Sequence, residues 1–287
     1  MRKTSAQGYD LGGAQMQEST EREIRIKANS LREKCNVSRY GIVDLFKDCE
    51  SLGYKLLRYP LGENADLGFS LKKDNDTIIF TNSCIRLSRE IFTLAHEIGH
   101  ILFHLKDGKS FIDDNMTING RSTDEKEEEA NYFAVCLLMP FDQVNRFIDL
   151  EIEKIPGKGL SAMDIARIMS EFNVSFDMAL NRLERLKFID SEQRLCLDNE
   201  KIEKKVGNLL RSVGGNARLN LPSNEIHIPY EYIDYVIYNY NHNAVPKETL
   251  EKVLDCYHLT IDDVSDKLVE QCDDDDDLDE LIGGLDN

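Results

Sequence analysis

The apolar positions of this chain change their period several times, and each change marks an element. TEREIRIKANSLREKC, residues 20 to 35, spaces its apolar residues three and four apart and predicts a helix. YGIVDLFKDCESL, residues 40 to 52, predicts a second one ending at Gly53. YKLLRYPL is a short extended run with a turn behind it. LGFSLKKDNDTIIFTN predicts a hairpin, in which two short strands flank a polar loop from Lys72 to Asp76 and β-branched residues crowd the second strand. The helical period then returns, with Ser88 set to cap the new helix and Asp107-Gly108 set to stop it. After a polar stretch it resumes in STDEKEEEANYFAVCLLMP, where Ser122 and Glu125 have capping-box spacing. Ala130, Phe133, Ala134, Leu137 and Leu138 form one apolar face there, and Pro140 ends the run. Residues 161 to 189 predict two helices joined by a tight turn near Asn173. Residues 226 to 233 predict a short extended piece, and 246 to 270 a second helix-turn-helix-like pair around Leu259 to Asp262.

These elements predict an α+β fold: a mainly helical domain with a small antiparallel sheet, followed by helical C-terminal segments. The organisation expected is a flexible lead over 1–19, a principal domain over 20–150, a helix-turn-helix-like segment over 151–195, a helical appendage over 196–272 and an acidic disordered tail over 273–287. Charge sharpens the last boundary. Residues 266 to 287 hold ten acidic residues and one lysine, a local net of −9 out of −18 for all 287 residues. A solvated tail is the plain reading of CDDDDDLDELIGGLDN; an acidic decoy docking on a basic partner is the sharper one. The overall −18 argues against tight nonspecific binding to nucleic acid or to an anionic membrane. No apolar run reaches the roughly 20 residues that span a bilayer, and the first twenty residues lack the apolar core of a signal peptide. Seven scattered cysteines without a C-x-x-C pair suit reduced thiols. The expected location is the cytoplasm.

One stretch, FTLAHEIGHILFHL at residues 92 to 105, places polar chemistry inside an apolar helix. His96 and His100 are four residues apart, which sets them about 40° apart on one face, a turn above each other. H-E-x-x-H is the pattern in which two imidazoles hold Zn²⁺ while the glutamate, here Glu97, acts as general base on water. Two buried histidines packed in a core are the bland alternative, but each would need a polar partner there. The metzincin form would require glycine at 103 and histidine at 106, and those positions are Phe103 and Lys106. His104 follows one turn on, yet three histidines in line on a straight helix do not converge easily on a tetrahedral ion, so it reads as packing, surface or support for the ligands. A third ligand must come from Glu125, Glu127, Glu128 or Glu129 in the next helix. At about 100° per residue, Glu127 and Glu129 flank its apolar face, while the other two point away. Periodicity leaves both open.

The stretches IIFTN, REIFTLAHEIGHILFH, EEEANYFAVCLLMP and NVSFDMALNRLERLKFI, over roughly residues 20 to 190, resemble the ImmA/IrrE family of metallo-endopeptidases. The second and third carry most of the specificity. The resemblance implies a zincin-like fold with a gluzincin-like metal site, and matches the glutamate before AN-x-FA, Glu129, to the third ligand, with Asn131 in support. It implies Zn²⁺ held by His96, His100 and Glu129, with Glu97 moving protons, and a protein substrate: a helix-turn-helix transcriptional repressor. The Thr77 to Thr81 segment is expected to offer backbone hydrogen bonds to an extended substrate, while Tyr132, on the outward side of its helix, is a poor oxyanion donor. Two other readings compete. In one, residues 161 to 189 bind DNA, but Arg167, Arg182, Arg185 and Lys187 are balanced there by Asp164, Glu171, Asp177 and Glu184. In the other, the protein is an anti-repressor or toxin–antitoxin component that acts by binding alone.

Overall fold

A computed structural model describes residues 16–62, 64–73, 76–105, 125–153 and 159–269. The expected Ser122 cap, the Asp107-Gly108 stop, most of the flexible lead and the acidic tail lie outside the described residues. The chain divides into two compact units, Met1–His227 and Ile228–Asn287.

The first unit opens with helix α1 (Glu18–Arg32), which buries Ile24, Ala28 and Leu31 on one stripe. Helix α2 (Leu45–Ser51) begins later than the apolar pattern suggests. The reason is Asp44, whose carboxylate accepts from the Phe46 and Lys47 amides and fixes the helix start there. Strands β1 (Lys55–Tyr59), β2 (Gly68–Lys73) and β3 (Asp76–Asn82) form a sheet of order β1-β3-β2. The hairpin pairs β2 with β3 antiparallel, Phe69 opposite Phe80, while β1 lies parallel to β3, Leu56 opposite Ile79. The sheet is therefore mixed, with β3 at its centre.

Helix α3 (Leu87–Phe103) packs one side on this sheet and the other on α4 (Glu125–Leu138). Leu94, Ala95 and Ile98 of α3 and Phe133, Ala134 and Leu137 of α4 are wholly buried; each large apolar side chain contributes roughly 1.5–3 kcal/mol. Ser88 does not cap α3. It is buried inside the first turn, Arg86 occupies the N-cap position without a side-chain hydrogen bond, and the Leu87 amide donates to the Leu221 carbonyl at 2.9 Å. A backbone oxygen from far along the chain thus satisfies a donor that sequence assigned to a serine. Pro140 separates α4 from α5 (Phe141–Glu151), as its missing N–H requires.

Helices α6 (Ala162–Phe172) and α7 (Phe176–Arg185) turn at Asn173, which adopts a left-handed φ of 55°. Ser161 and Asp164 close a capping box at the start of α6. Helix α8 (Ser191–Lys204) runs straight through the boundary expected near residue 195, and α9 (Val206–Ser212) packs on α6. The chain then returns to the sheet. His227 and Arg58 exchange both backbone hydrogen bonds, at 2.7 and 2.9 Å, alongside β1. The appendage expected from residue 196 is thus, up to His227, part of the first unit.

The second unit contains α10 (Glu231–Asn241), α11 (Lys247–Cys256) and a 3₁₀ turn at Asp262–Lys267. Ile233, Ile237, Leu250, Leu254 and Val264 make its small core. Among the described residues no helix is long and apolar enough to cross a membrane.

Candidate metal centre

The apolar stripe of α3 explains why its polar residues are held so firmly. Glu97 and His100 are each 7% exposed, so both have lost most of their water and must find protein partners. Helix α4 supplies them because it comes close at Gly99. A Cβ at that position would stand 3.1 Å from the Ala130 Cα and 3.1 Å from the Phe133 ring. Glycine facing alanine brings the two helix backbones together, and the acidic first turns of α4 then reach the histidines, whereas Glu97 turns to the sheet side, where Ser70 of β2 stands beside it.

Within that contact, the His96 Nε2 and His100 Nε2 atoms face each other at 2.9 Å. The Glu127 carboxylate lies 3.3 Å from the first and 3.2 Å from the second. The first distance is to Oε2 and the second to Oε1, so the carboxylate faces both rings at once. Donor atoms about 2.0–2.1 Å from a tetrahedral ion stand roughly 3.3 Å apart, which is the scale of these contacts. Among the described residues, His96, His100 and Glu127 form the His/Cys/Asp/Glu group whose ligand atoms all lie within 4.8 Å of one another. The chemistry of the donors agrees. His96 Nδ1 donates to the Asn131 Oδ1 at 3.0 Å, which leaves its Nε2 as an acceptor. Three acceptors turned on one point are unfavourable until a proton or a cation joins them.

Glu129 goes elsewhere. Its carboxylate accepts from His104 Nε2 at 3.0 Å, and His104 Nδ1 meets His100 Nδ1 at 2.9 Å. Two residues on a helix differ by about 200° in direction, so Glu127 and Glu129 reach different imidazoles. Glu127 and Asn131, four apart, share one ridge and both serve the His96 end. The structure thus brings His96, His100 and Glu97 together with Glu127, and sets Glu129, matched by resemblance to the third ligand, against His104 instead.

The electrostatics follow. With a proton on the cluster, hydrogen bonds from His100 and His96 hold the Glu127 carboxyl far below the usual carboxylate range. Burial works to lower the His96 pKa, but Glu127 against the ring and Glu97 beside it raise it above the ordinary value. The negative field that favours a proton there also attracts a metal cation. Burial lowers the pKa of His104 and outweighs the pull of Glu129. Burial also raises the Glu97 carboxyl, with His96 and His100 pulling the other way. A carboxylate with raised proton affinity beside a cation site is equipped to take a proton from water.

The sheet borders the same site. A Cβ on Gly68 of β2 would meet the Thr93 methyl at 2.5 Å and Glu97 Cγ at 3.6 Å, so β2 lies directly over the motif. Thr77 to Thr81 cannot serve as the substrate edge, because β3 is paired on both sides, to β1 and to β2. Among the described residues β2 pairs with β3 alone, which leaves its outer edge beside Glu97. Tyr132 is also placed differently from the expectation. It is buried against α1, with its hydroxyl 3.1 Å from Arg25 and 3.2 Å from Glu21, and burial first of all pushes its pKa up to about 12.

A second buried polar cluster escaped the sequence reading. Glu90, fully buried near the start of α3, receives two hydrogen bonds from Arg58 of β1 at 2.8 and 2.9 Å and one each from Thr81 and Ser223. It ties α3, the sheet and the returning chain together. No spacing in the sequence signals it, since its members are up to 165 residues apart.

The model for the IrrE N-terminal-like domain, peptidase family M78, matches residues 49–184, a span that begins in α2 and ends in α7 and contains every residue of the site. This part of the chain is similar to the IrrE N-terminal-like metallopeptidase domain. Among curated proteins none matches the chain. The matched region and the acceptor cluster coincide at α3 and α4, where His96, His100 and Glu127 meet.

Proposed function

We propose that the chain is a cytoplasmic zinc-dependent endopeptidase with a narrow protein substrate, a helix-turn-helix repressor whose cleavage relieves repression. The observation that carries the reading is the convergence of His96 Nε2, His100 Nε2 and the Glu127 carboxylate, with Glu97 alongside. In this reading those three residues hold Zn²⁺, and the geometry favours Glu127 over Glu129 because the latter is already bonded to His104. The ion, when bound, supplies Lewis acidity: it lowers the pKa of water to about 7 and polarises a carbonyl. Glu97 takes the proton of the attacking water and delivers it to the leaving amine. Asn131 holds the His96 ring in the orientation that presents Nε2. The outer edge of β2 receives the substrate as an added strand, so that main-chain hydrogen bonds align the scissile bond beside Glu97. The repressor as substrate rests on the family resemblance.

The DNA-binding alternative finds little support in α6 and α7. Arg182 is buried and donates to the Met139 carbonyl, while Arg167 and Arg185 are engaged by Asp164 and Glu21. Binding without turnover is the competing reading, and Glu97→Gln tests it. That variant should keep its fold and its zinc, and lose cleavage of a co-encoded repressor by roughly 10²- to 10⁴-fold in vitro. If Glu97→Gln relieves repression in cells as well as the wild type does, the protein acts by binding and the peptidase reading is wrong.

A further inference from the structure

We infer that His104 and Glu129 form a relay that fixes the tautomer of His100 and so sets the affinity of the site for its cation. The inference rests on the reading that His96, His100 and Glu127 hold the ion. Both groups are positioning residues here, since neither points at the place where the three acceptors converge.

One line of hydrogen bonds runs inward from Glu129 through His104 to His100. The Glu129 carboxylate only accepts, so the hydrogen in its 3.0 Å contact belongs to His104 Nε2. A neutral His104 then carries a bare Nδ1. That atom lies 2.9 Å from His100 Nδ1, and two bare nitrogens cannot bond. The hydrogen in this second contact therefore sits on His100 Nδ1, pointing at His104. His100 Nε2 is left as the lone-pair atom, and it is the atom that faces His96 Nε2 at 2.9 Å and Glu127 at 3.2 Å. Each step follows from the one before, and the starting point is a carboxylate two residues along the helix from Glu127.

The same geometry excludes His104 as a direct ligand of that ion. Its two ring nitrogens are engaged by Glu129 and His100, and His100 presents to it the nitrogen opposite the metal-facing one. The two inner imidazoles are thus oriented by different devices. His96 leans on a neutral amide oxygen, Asn131. His100 leans on an imidazole backed by a carboxylate, which holds the ring from the side away from Glu127. His104 is suited to this position by the end of α3. It is the helix C-cap, its amide donates to the His100 carbonyl, and its side chain is only 6% exposed, so water does not compete for the contact.

The test uses full-length protein and two readouts, neither of which is catalysis. Zinc affinity is measured by competition with a chromophoric chelator, and the tautomer of His100 is read from long-range ¹H–¹⁵N spectra of the metal-free protein. His104→Leu removes the acceptor and should weaken zinc binding about 10- to 100-fold, while His100 shifts toward the tautomer protonated on Nε2. His104→Asn offers Oδ1 where the imidazole offered Nδ1, and should restore most of the affinity and the tautomer. Glu129→Gln keeps an acceptor but loses the charge, and should weaken binding by a few-fold. Wild-type affinity and an unchanged His100 tautomer in His104→Leu would overturn the relay; should that variant not fold, equal affinity in Glu129→Gln and the wild type would do so. A different pattern identifies failure of the ligand set itself: zinc lost in Glu129→Gln and kept in Glu127→Gln would make Glu129 a ligand and remove the basis of the relay.

Discussion

Two helical pairs in this chain carry ionisable side chains at their contacts, and they use them to opposite ends. In α6 and α7 the charged groups close on complementary ones. Arg182 donates to the Met139 carbonyl at 2.9 Å, Arg167 pairs with Asp164 at 3.0 Å, Arg185 reaches Glu21 at 2.6 Å, and Lys201 from α8 covers Asp177. In α3 and α4 the groups that meet are alike in role. His96 Nε2, His100 Nε2 and Glu127 are all acceptors turned toward one another. Donor meeting acceptor is a finished structural contact, whereas acceptor meeting acceptor needs a cation to complete it. Both pairs have the same helical period in sequence, and neither the period nor the count of charges separates them. The roles of the atoms in contact do.

The comparison is broken most directly at the metal site. His96→Ala should lose most of the zinc that purified wild-type protein carries, measured by elemental analysis, and Glu127→Gln should do the same while Glu129→Gln keeps it. If His96→Ala retains its zinc, the acceptors of α3 and α4 do not hold it, and the two pairs are alike after all. The next effect is at the helix contact. Gly99→Ala puts a methyl 3.1 Å from Ala130 Cα and from the Phe133 ring, so α4 must shift. A loss of about 1–3 kcal/mol in unfolding free energy is expected, together with weaker zinc binding, because Glu127 moves with α4. Unchanged zinc affinity in a folded Gly99→Ala protein would show that the close approach does not position the ligand.

Arg182→Met probes the other pair. It keeps the length of a buried side chain, removes the hydrogen bond to Met139, and should cost about 1–3 kcal/mol in urea unfolding with zinc content at the wild-type level. A loss of zinc alongside stability would mean that the structural pair and the metal pair are coupled. The smallest effect is one of pH. Burial raises the Cys49 thiol to about 12, so the folded state keeps this proton where the unfolded chain, with a thiol pKa of about 8.5, gives it up. Stability from this group is complete below that pH and is lost as pH rises toward 12, by at most about 1.4 kcal/mol per pH unit. Cys49→Ala should flatten the fall in urea midpoint between pH 8 and 10; an unaltered slope would refute the shift.

Sequence by itself determined what spacing along one element can specify. Four-residue spacing put His96 and His100 on one face of α3, and the apolar face of α4 is buried as its period requires. The hairpin pairs β2 with β3, and Asn173 makes the turn between α6 and α7, because side-chain alternation and turn chemistry are local properties. Tertiary structure alone decided every feature that depends on how two elements are rotated against each other. Glu127 and Glu129 flank the same helical face equally, and only the approach of α4 at Gly99 sends the first to the His96–His100 pair and the second to His104. Strand order put β3 in the centre and freed the edge of β2, which no property of IIFTN could announce. Leu221 replaced Ser88 at the start of α3, and Arg58 found Glu90, through contacts closed by chain returning from far away. Periodicity records which way a side chain leaves its own helix or strand; which partner waits there is set by the packing of the whole.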